Sequence, residues 1–156
     1  MPLNNGAGHM PALGFGTLIP DAALTRTATR DALDAGFRHF DCAERYRNER
    51  EVGDALQAGL AANGIARENI FVTTKLWNSN HRPERVEPAF EASLHRLSIK
   101  YLDLYLPKEL SSPAPASQSA TISPICTSSR TKGRFTGWRV TVSGFVTNVL
   151  NCAEPA

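Results

Sequence analysis

Three side chains in this sequence, Asp41, Tyr46 and Lys75, have the types and spacing to perform acid chemistry together. Asp41 and Tyr46 are separated by four residues in FDCAERY, and Lys75 closes the β-branched run IFVTTK. A phenol is a poor acid near neutrality because its ordinary pKa is about 10. A lysine ammonium beside it favours the phenolate, and an aspartate keeps that lysine charged and oriented. Such a phenol can protonate a carbonyl oxygen as hydride reaches the carbon. On residue types alone a blander reading stays open. Asp and Lys on neighbouring strand ends also form structural ion pairs, and a loop tyrosine also simply packs.

The elements that must position these groups are legible as a repeat. Asn5-Gly6 between Leu3-Asn4 and His9-Met10 signals a type I′ hairpin. Leu13–Thr17 reads as a short strand. A helix follows from Asp21, an N-cap type, with Leu24, Ala28, Ala32 and Ala35 on one face and Gly36 closing it. Arg38–Asp41 is a second strand. The next helix opens at Asn48, with Glu51 three residues on as in a capping box, and Val52, Leu56 and Leu60 form its stripe. Gly64 ends it. Ile70–Lys75 is a continuous apolar strand of the kind buried on both faces. Pro83 starts a third helix carrying Val86, Phe90, Leu94 and Leu97, and Tyr101–Leu106 is a fourth strand. The strands after the first open near His39, Ile70 and Tyr101, about 31 residues apart, the size of a βαβ repeat.

Eight such units total roughly 250 residues, the usual length of a (β/α)8 barrel. The fold expectation is therefore α/β: a truncated TIM-type barrel of four strands and three helices, preceded by a hairpin. Asp41, Tyr46 and Lys75 then lie at or just after the C-terminal ends of strands, where such barrels keep their chemistry.

Composition sets the outer limits. The 156 residues carry 17 Lys+Arg against 15 Asp+Glu, so a net charge of +2 gives no reason to expect nucleic acid or a membrane surface as partner. Cys42, Cys126 and Cys152 are too widely spaced for a disulfide framework or a zinc site, and no metal is expected. No run approaches the roughly 18 apolar residues of a membrane helix, and the start lacks a signal-peptide pattern. A cytoplasmic protein is the default. The averages hide a break, however. Residues 1–106 hold 12 basic and 13 acidic side chains, whereas residues 107–156 hold 5 and 2 and are dense in Ser, Thr and Pro. The expected domains are thus 1–106, half a barrel, and 107–156, a poorly packed tail with a hairpin at 138–150 around Ser143-Gly144.

The strings themselves add to this reading. MPALGFGT (10–17), GFRHFDCAERYRNEREVGDAL (36–56), IFVTTKLWNSNHRPERVE (70–87) and YLDLYL (101–106) closely resemble the aldo-keto reductase family in sequence and order, over about residues 3–106. The resemblance implies a (β/α)8 reductase of aldehydes and ketones using NADPH or NADH. It implies Tyr46 as proton donor, tuned by Lys75 and Asp41. It places Gly16, Thr17 and Asp41 near the nicotinamide and makes Trp77 an aromatic wall of the substrate pocket. For Gly16 a tight turn, and for Trp77 core packing, are the plain alternatives.

The sequence departs from that pattern after Leu106. The family's catalytic histidine would stand two residues on, where this chain has Lys108. His81 does not replace it and reads as a loop residue near a helix start; His95 reads as solvent-facing. Nothing after Leu106 resembles the later strands that hold the nicotinamide amide, the pyrophosphate and the adenosine 2′-phosphate. No GxGxxG fingerprint compensates, which counts against a doubly wound nucleotide-binding fold. The abrupt change reads as a gene-level replacement of the rest of the barrel. Two functional expectations follow: a reductase with impaired or no activity, or a non-catalytic interaction protein that self-associates through the open barrel edge.

Overall fold

The computed structural model describes residues 9–107, together with the backbone of residues 139–142 and 145–148. Along the chain these form β1 (Phe15–Gly16), α1 (Ala22–Asp34), β2 (His39–Asp41), α2 (Glu49–Asn63), β3 (Phe71–Leu76), α3 (Pro83–Leu97) and β4 (Leu104–Pro107). The four strands form one parallel sheet in the order β1-β2-β3-β4. Each strand pairs with the next in sequence, so the order never reverses. A doubly wound sheet needs such a reversal to open its ligand crevice, and this sheet has none. β5 (Arg139–Val142) and β6 (Phe145–Asn148) pair antiparallel in a separate sheet, with Val142 opposite Phe145. The expected N-terminal hairpin turn at Asn5-Gly6, the Ser/Thr/Pro-rich stretch and the residues Ser143-Gly144 lie outside the described residues.

Alternation along the strands sorts side chains to two faces. Phe40, Val72, Leu76 and Tyr105 turn to the helices and join Leu33, Val52, Leu56, Leu60 and Leu97 in the core. His39, Asp41, Thr73, Lys75, Leu104 and Leu106 occupy the opposite face by the same alternation. The helices pack at close range. A Cβ on Gly53 of α2 would stand 2.5 Å from the Leu97 carbonyl oxygen at the end of α3, so only glycine permits this approach.

Two local expectations are corrected. The buried face of α1 is Thr25, Thr29, Ala32 and Leu33, while Leu24 is 56% exposed and Ala35 also faces solvent. Thr25 can be buried because its hydroxyl donates to the carbonyls of Asp21 (2.7 Å) and Ile19 (3.1 Å), which removes the cost of a bare hydroxyl. Asn48 stands at the N-cap position of α2 but makes no capping bond. Its amide instead donates to the carbonyls of Thr17 (2.7 Å) and Ile19 (3.1 Å), tying the start of α2 to the end of β1. Other signals agree with the structure. Asp21 Oδ1 accepts from the Leu24 amide at 2.7 Å, Pro83 occupies the first turn of α3, and Gly64 closes α2 at φ +61°.

The last strand begins later than its apolar run. Tyr101–Asp103 are drawn into a clamp before the ladder starts: Arg67 reaches the Tyr101 carbonyl (3.0 Å) and Asp103 Oδ2 (2.7 Å). The same carboxylate oxygen accepts from the Val72 amide at 2.9 Å, which fixes the entry of β4 against β3.

Candidate active site

Lys75 is the penultimate residue of β3, between Thr74 and Leu76, which face the helices, so its side chain crosses to the other face. There its ammonium donates to Asp41 Oδ1 at 2.7 Å and to the Cys42 carbonyl at 2.9 Å. The lysine side chain is 20% exposed and the aspartate 38%. A half-buried charge-assisted bond of this length contributes about 1–3 kcal/mol, more than a surface pair. The same ammonium lies 5.2 Å from the centre of the Tyr46 ring. All three chemically suggestive residues therefore meet, at the C-terminal end of the parallel sheet.

Tyr46 owes its place to a 3-10 turn, Glu44–Tyr46, after β2. Its amide donates to the Ala43 carbonyl, and Arg47 ends the turn in the left-handed region at φ +57°. The turn is braced against the loop after β3. Asn80 Nδ2 donates to both Glu44 carboxylate oxygens (3.2 and 3.3 Å), and the Arg45 guanidinium lies 5.4 Å from the Trp77 ring centre. Trp77 is thus half-buried on the rim, in a cation–π contact with Arg45.

Gly16 pairs with Asp41 across β1 and β2 and has a negative φ, so no tight turn demands glycine there. No atom lies within 4 Å of where its Cβ would stand, which leaves bare backbone beside Asp41. Thr17 is fully buried, and both its amide (3.1 Å) and its hydroxyl (2.9 Å) donate to the Asp41 carbonyl. It braces Asp41 from behind. His81 is half-buried just before α3, with its Nε2 lacking a partner, and His95 is exposed on α3. Position 108 lies outside the described residues.

Two groups near the site, buried Cys42 and half-buried His39, are shifted toward their neutral forms by desolvation. Burial pushes the Cys42 thiol up to about 12, so it is no nucleophile despite its proximity to Lys75. Burial also lowers the His39 pKa below its usual value, against the raising influence of Asp41. The His39 Nε2 sits 3.0 Å from Thr73 Oγ1.

Sequence reasoning missed the support beneath the site. Glu49, 1% exposed, accepts from the Thr74 hydroxyl at 2.6 Å and from Arg96 Nε at 2.7 Å. It links the start of α2 to the strand that carries Lys75 and to α3. Its one sequence signal was position, three residues after Tyr46 in a first helical turn, where acidic residues are common for local reasons.

The model of the Aldo/keto reductase family matches residues 11–133, extending past Leu106. Aldo-keto reductase family 1 member C18 of Rattus norvegicus is 45% identical over 109 residues, 68% of this chain and 33% of that protein. Member C1 of Homo sapiens is 50% identical over 103 residues, 64% of this chain and 32% of that protein. The solved aldose reductase of Schistosoma japonicum superposes with a TM-score of 0.63 at 41% identity, covering 75% of this chain and 42% of that one. The chain spans about a third of the length of the curated relatives it matches.

Proposed function

The chain belongs to the aldo/keto reductase family, and on that premise we propose that it carries the proton-delivery half of an NADPH-dependent carbonyl-reducing site. Tyr46 is the donor, and aldehydes or ketones are the substrate class. The observation that carries this reading is the Lys75 ammonium, bound to Asp41 Oδ1 and the Cys42 carbonyl and 5.2 Å from the Tyr46 ring centre. As Tyr46 Oη gives its proton to a carbonyl oxygen, negative charge develops on the phenol, and a fixed cation beside it stabilises that charge. Asp41 and the Cys42 carbonyl hold the cation in place, so no reorganisation is needed at the moment of transfer. Trp77 would wall the substrate side.

The residues present fit the nicotinamide end of the cofactor, where Gly16 offers open space beside Asp41. Bound there, reduced nicotinamide would supply hydride. The later strands that hold its phosphates in the family have no counterpart among the described residues, and Lys108 stands in the register of the family's histidine. Turnover by this chain alone is therefore impaired or absent.

A second reading is favoured by the sheet itself. β1 and β4 each pair with one neighbour only among the described strands, which suits an interaction protein that self-associates along those edges. Among the described residues no helix is long and apolar enough to cross a membrane, and the cytoplasm is the proposed compartment.

The test is direct. Titrate the purified chain with NADPH by fluorescence, then add an aromatic aldehyde and follow NADPH consumption. Slow turnover that Tyr46→Phe abolishes is the expected result. Absence of both binding and turnover would remove the enzymatic reading, and turnover unchanged in Tyr46→Phe would place the activity elsewhere.

A further inference from the structure

We infer that the hollow between α2 and the end of α3 binds a phosphate monoester of a small molecule. Both helices pack on the face of the sheet that carries Val72 and Tyr105, whereas Asp41 and Lys75 occupy the opposite face. The site is therefore separate from the chemistry proposed for Tyr46.

The hollow measures about 540 Å³, within the range of small-molecule pockets. Two cations in its lining, Arg50 and Lys100, are exposed and make no ion pair or hydrogen bond among the described residues. A phosphate group carries about −1.5 to −2 charges at pH 7, which these two match. A third cation, Arg96, is already oriented. Its Nε donates to buried Glu49 at 2.7 Å and its Nη2 to Ser93 Oγ at 3.1 Å, which leaves Nη1 as a fixed, spare donor. Asp54 is the one carboxylate among the lining residues, and Arg26 of α1 lies 3.7 Å from it.

Helix polarity does not account for this set. Lys100 suits the C-terminal end of α3, where a cation offsets the helix dipole. Arg50 stands in the first turn of α2, the positive end, where a cation without a carboxylate partner is disfavoured. An anion in the hollow relieves that cost. Ser98 adds a hydroxyl. It ends α3 at φ +54°, a left-handed conformation that glycine adopts at lower cost. Its carbonyl accepts from Gln57 Nε2 at 3.0 Å, while its hydroxyl makes no bond among the described residues. The side chain that glycine would lack is thus an available donor in the lining. Guanidinium, ammonium and hydroxyl donors together recognise phosphate oxygens. Leu94 and Ile99 supply an apolar patch beside them, which suits the organic part of the ligand.

The test is isothermal titration of the 156-residue chain with phenyl phosphate at constant ionic strength. Saturable one-to-one binding is expected, tighter than that of inorganic phosphate. No saturation through the millimolar range would overturn the inference. Inorganic phosphate binding equally well would also overturn it, since Leu94 and Ile99 would then take no part. Arg50→Gln and Lys100→Gln should each weaken binding roughly tenfold, the scale of one charge-assisted hydrogen bond. Both side chains are exposed, so far-UV circular dichroism should not change. Unchanged affinity in the double variant would place the phosphate elsewhere, and the proposal fails. Amide shifts in the magnetic resonance spectrum of the unmodified chain locate the ligand without any substitution. They should gather at residues 50–54 and 94–100; shifts centred on Asp41, Tyr46 and Lys75 would sink the proposal.

Discussion

Glu49 and Arg96 lie 47 positions apart in sequence and meet at 2.7 Å, the carboxylate 1% and the guanidinium side chain 33% exposed. The two are not equivalent when removed. Arg96→Met strands a buried carboxylate that keeps only its Thr74 hydroxyl, and should cost about 3–5 kcal/mol. Glu49→Gln keeps an acceptor for Thr74 and leaves Arg96 partly in water, and should cost about 1–2 kcal/mol. Urea unfolding of both variants checks the order. Equal costs would mean that the pair is not desolvated as described.

Lys75→Met should leave NADPH fluorescence titrations unchanged and lower any carbonyl turnover by roughly 10²-fold or more, the scale of a lost proton-transfer partner. Lys75→Arg keeps the charge but misplaces it, and should fall between the two. Full activity in Lys75→Met would show that the ammonium beside Tyr46 does nothing in the reaction.

Cys42 should resist thiol reagents in the folded chain at pH 8, because burial holds its pKa at about 12. Labelling followed by peptide mass spectrometry, with and without denaturant, reads this out. Labelling of Cys42 in native protein at the unfolded rate would contradict its complete burial.

His39 makes the fold sensitive to mild acid. Its folded pKa lies below the ordinary 6.5, so in the interval between them the unfolded chain binds more protons than the folded one. Stability from this group is complete above about pH 6.5 and declines as pH falls toward the lowered value. Denaturant midpoints measured from pH 7.5 down to 5 should drop, and His39→Gln should flatten that drop. An identical pH profile in the variant would assign the loss to other groups.

Gly53→Ala should destabilise by about 1–3 kcal/mol, since the added methyl stands 2.5 Å from the Leu97 carbonyl oxygen and α2 must move away from α3. Thermal unfolding by circular dichroism measures it. A neutral or stabilising effect would mean that the helices separate freely.

Much of this architecture could be read from pattern. The 31-residue spacing of His39, Ile70 and Tyr101 located the strands, because each βα unit repeats one hydrophobic period. Asp41, Tyr46 and Lys75 were legible because strand ends are where a parallel barrel exposes polar groups. The face of α1 was misread, since periodicity scores Leu24 as apolar and Thr25 as polar. It cannot register that two carbonyls satisfy the Thr25 hydroxyl. Asn48 was misread for a related reason: its amide serves the carbonyls of Thr17 and Ile19, about 30 positions upstream, and capping rules look only forward along the helix. Glu49–Arg96 and Arg67–Asp103 join residues with no periodic relation, so only the folded chain displays them.

The sequential strand order bears on how the chain acquires its shape. Every ladder joins a strand to its immediate successor, so no pairing has to wait for a segment made much later than its neighbour. Loop closure between partners then spans one βα unit each time, a modest and repeated entropic barrier. A ribosome emitting this chain from its N-terminus releases β1, β2, β3 and β4 in the order in which they dock. Assembly can proceed by accretion, each helix sealing the strand pair before the next arrives, and β4 is the last strand laid onto the described four-stranded sheet.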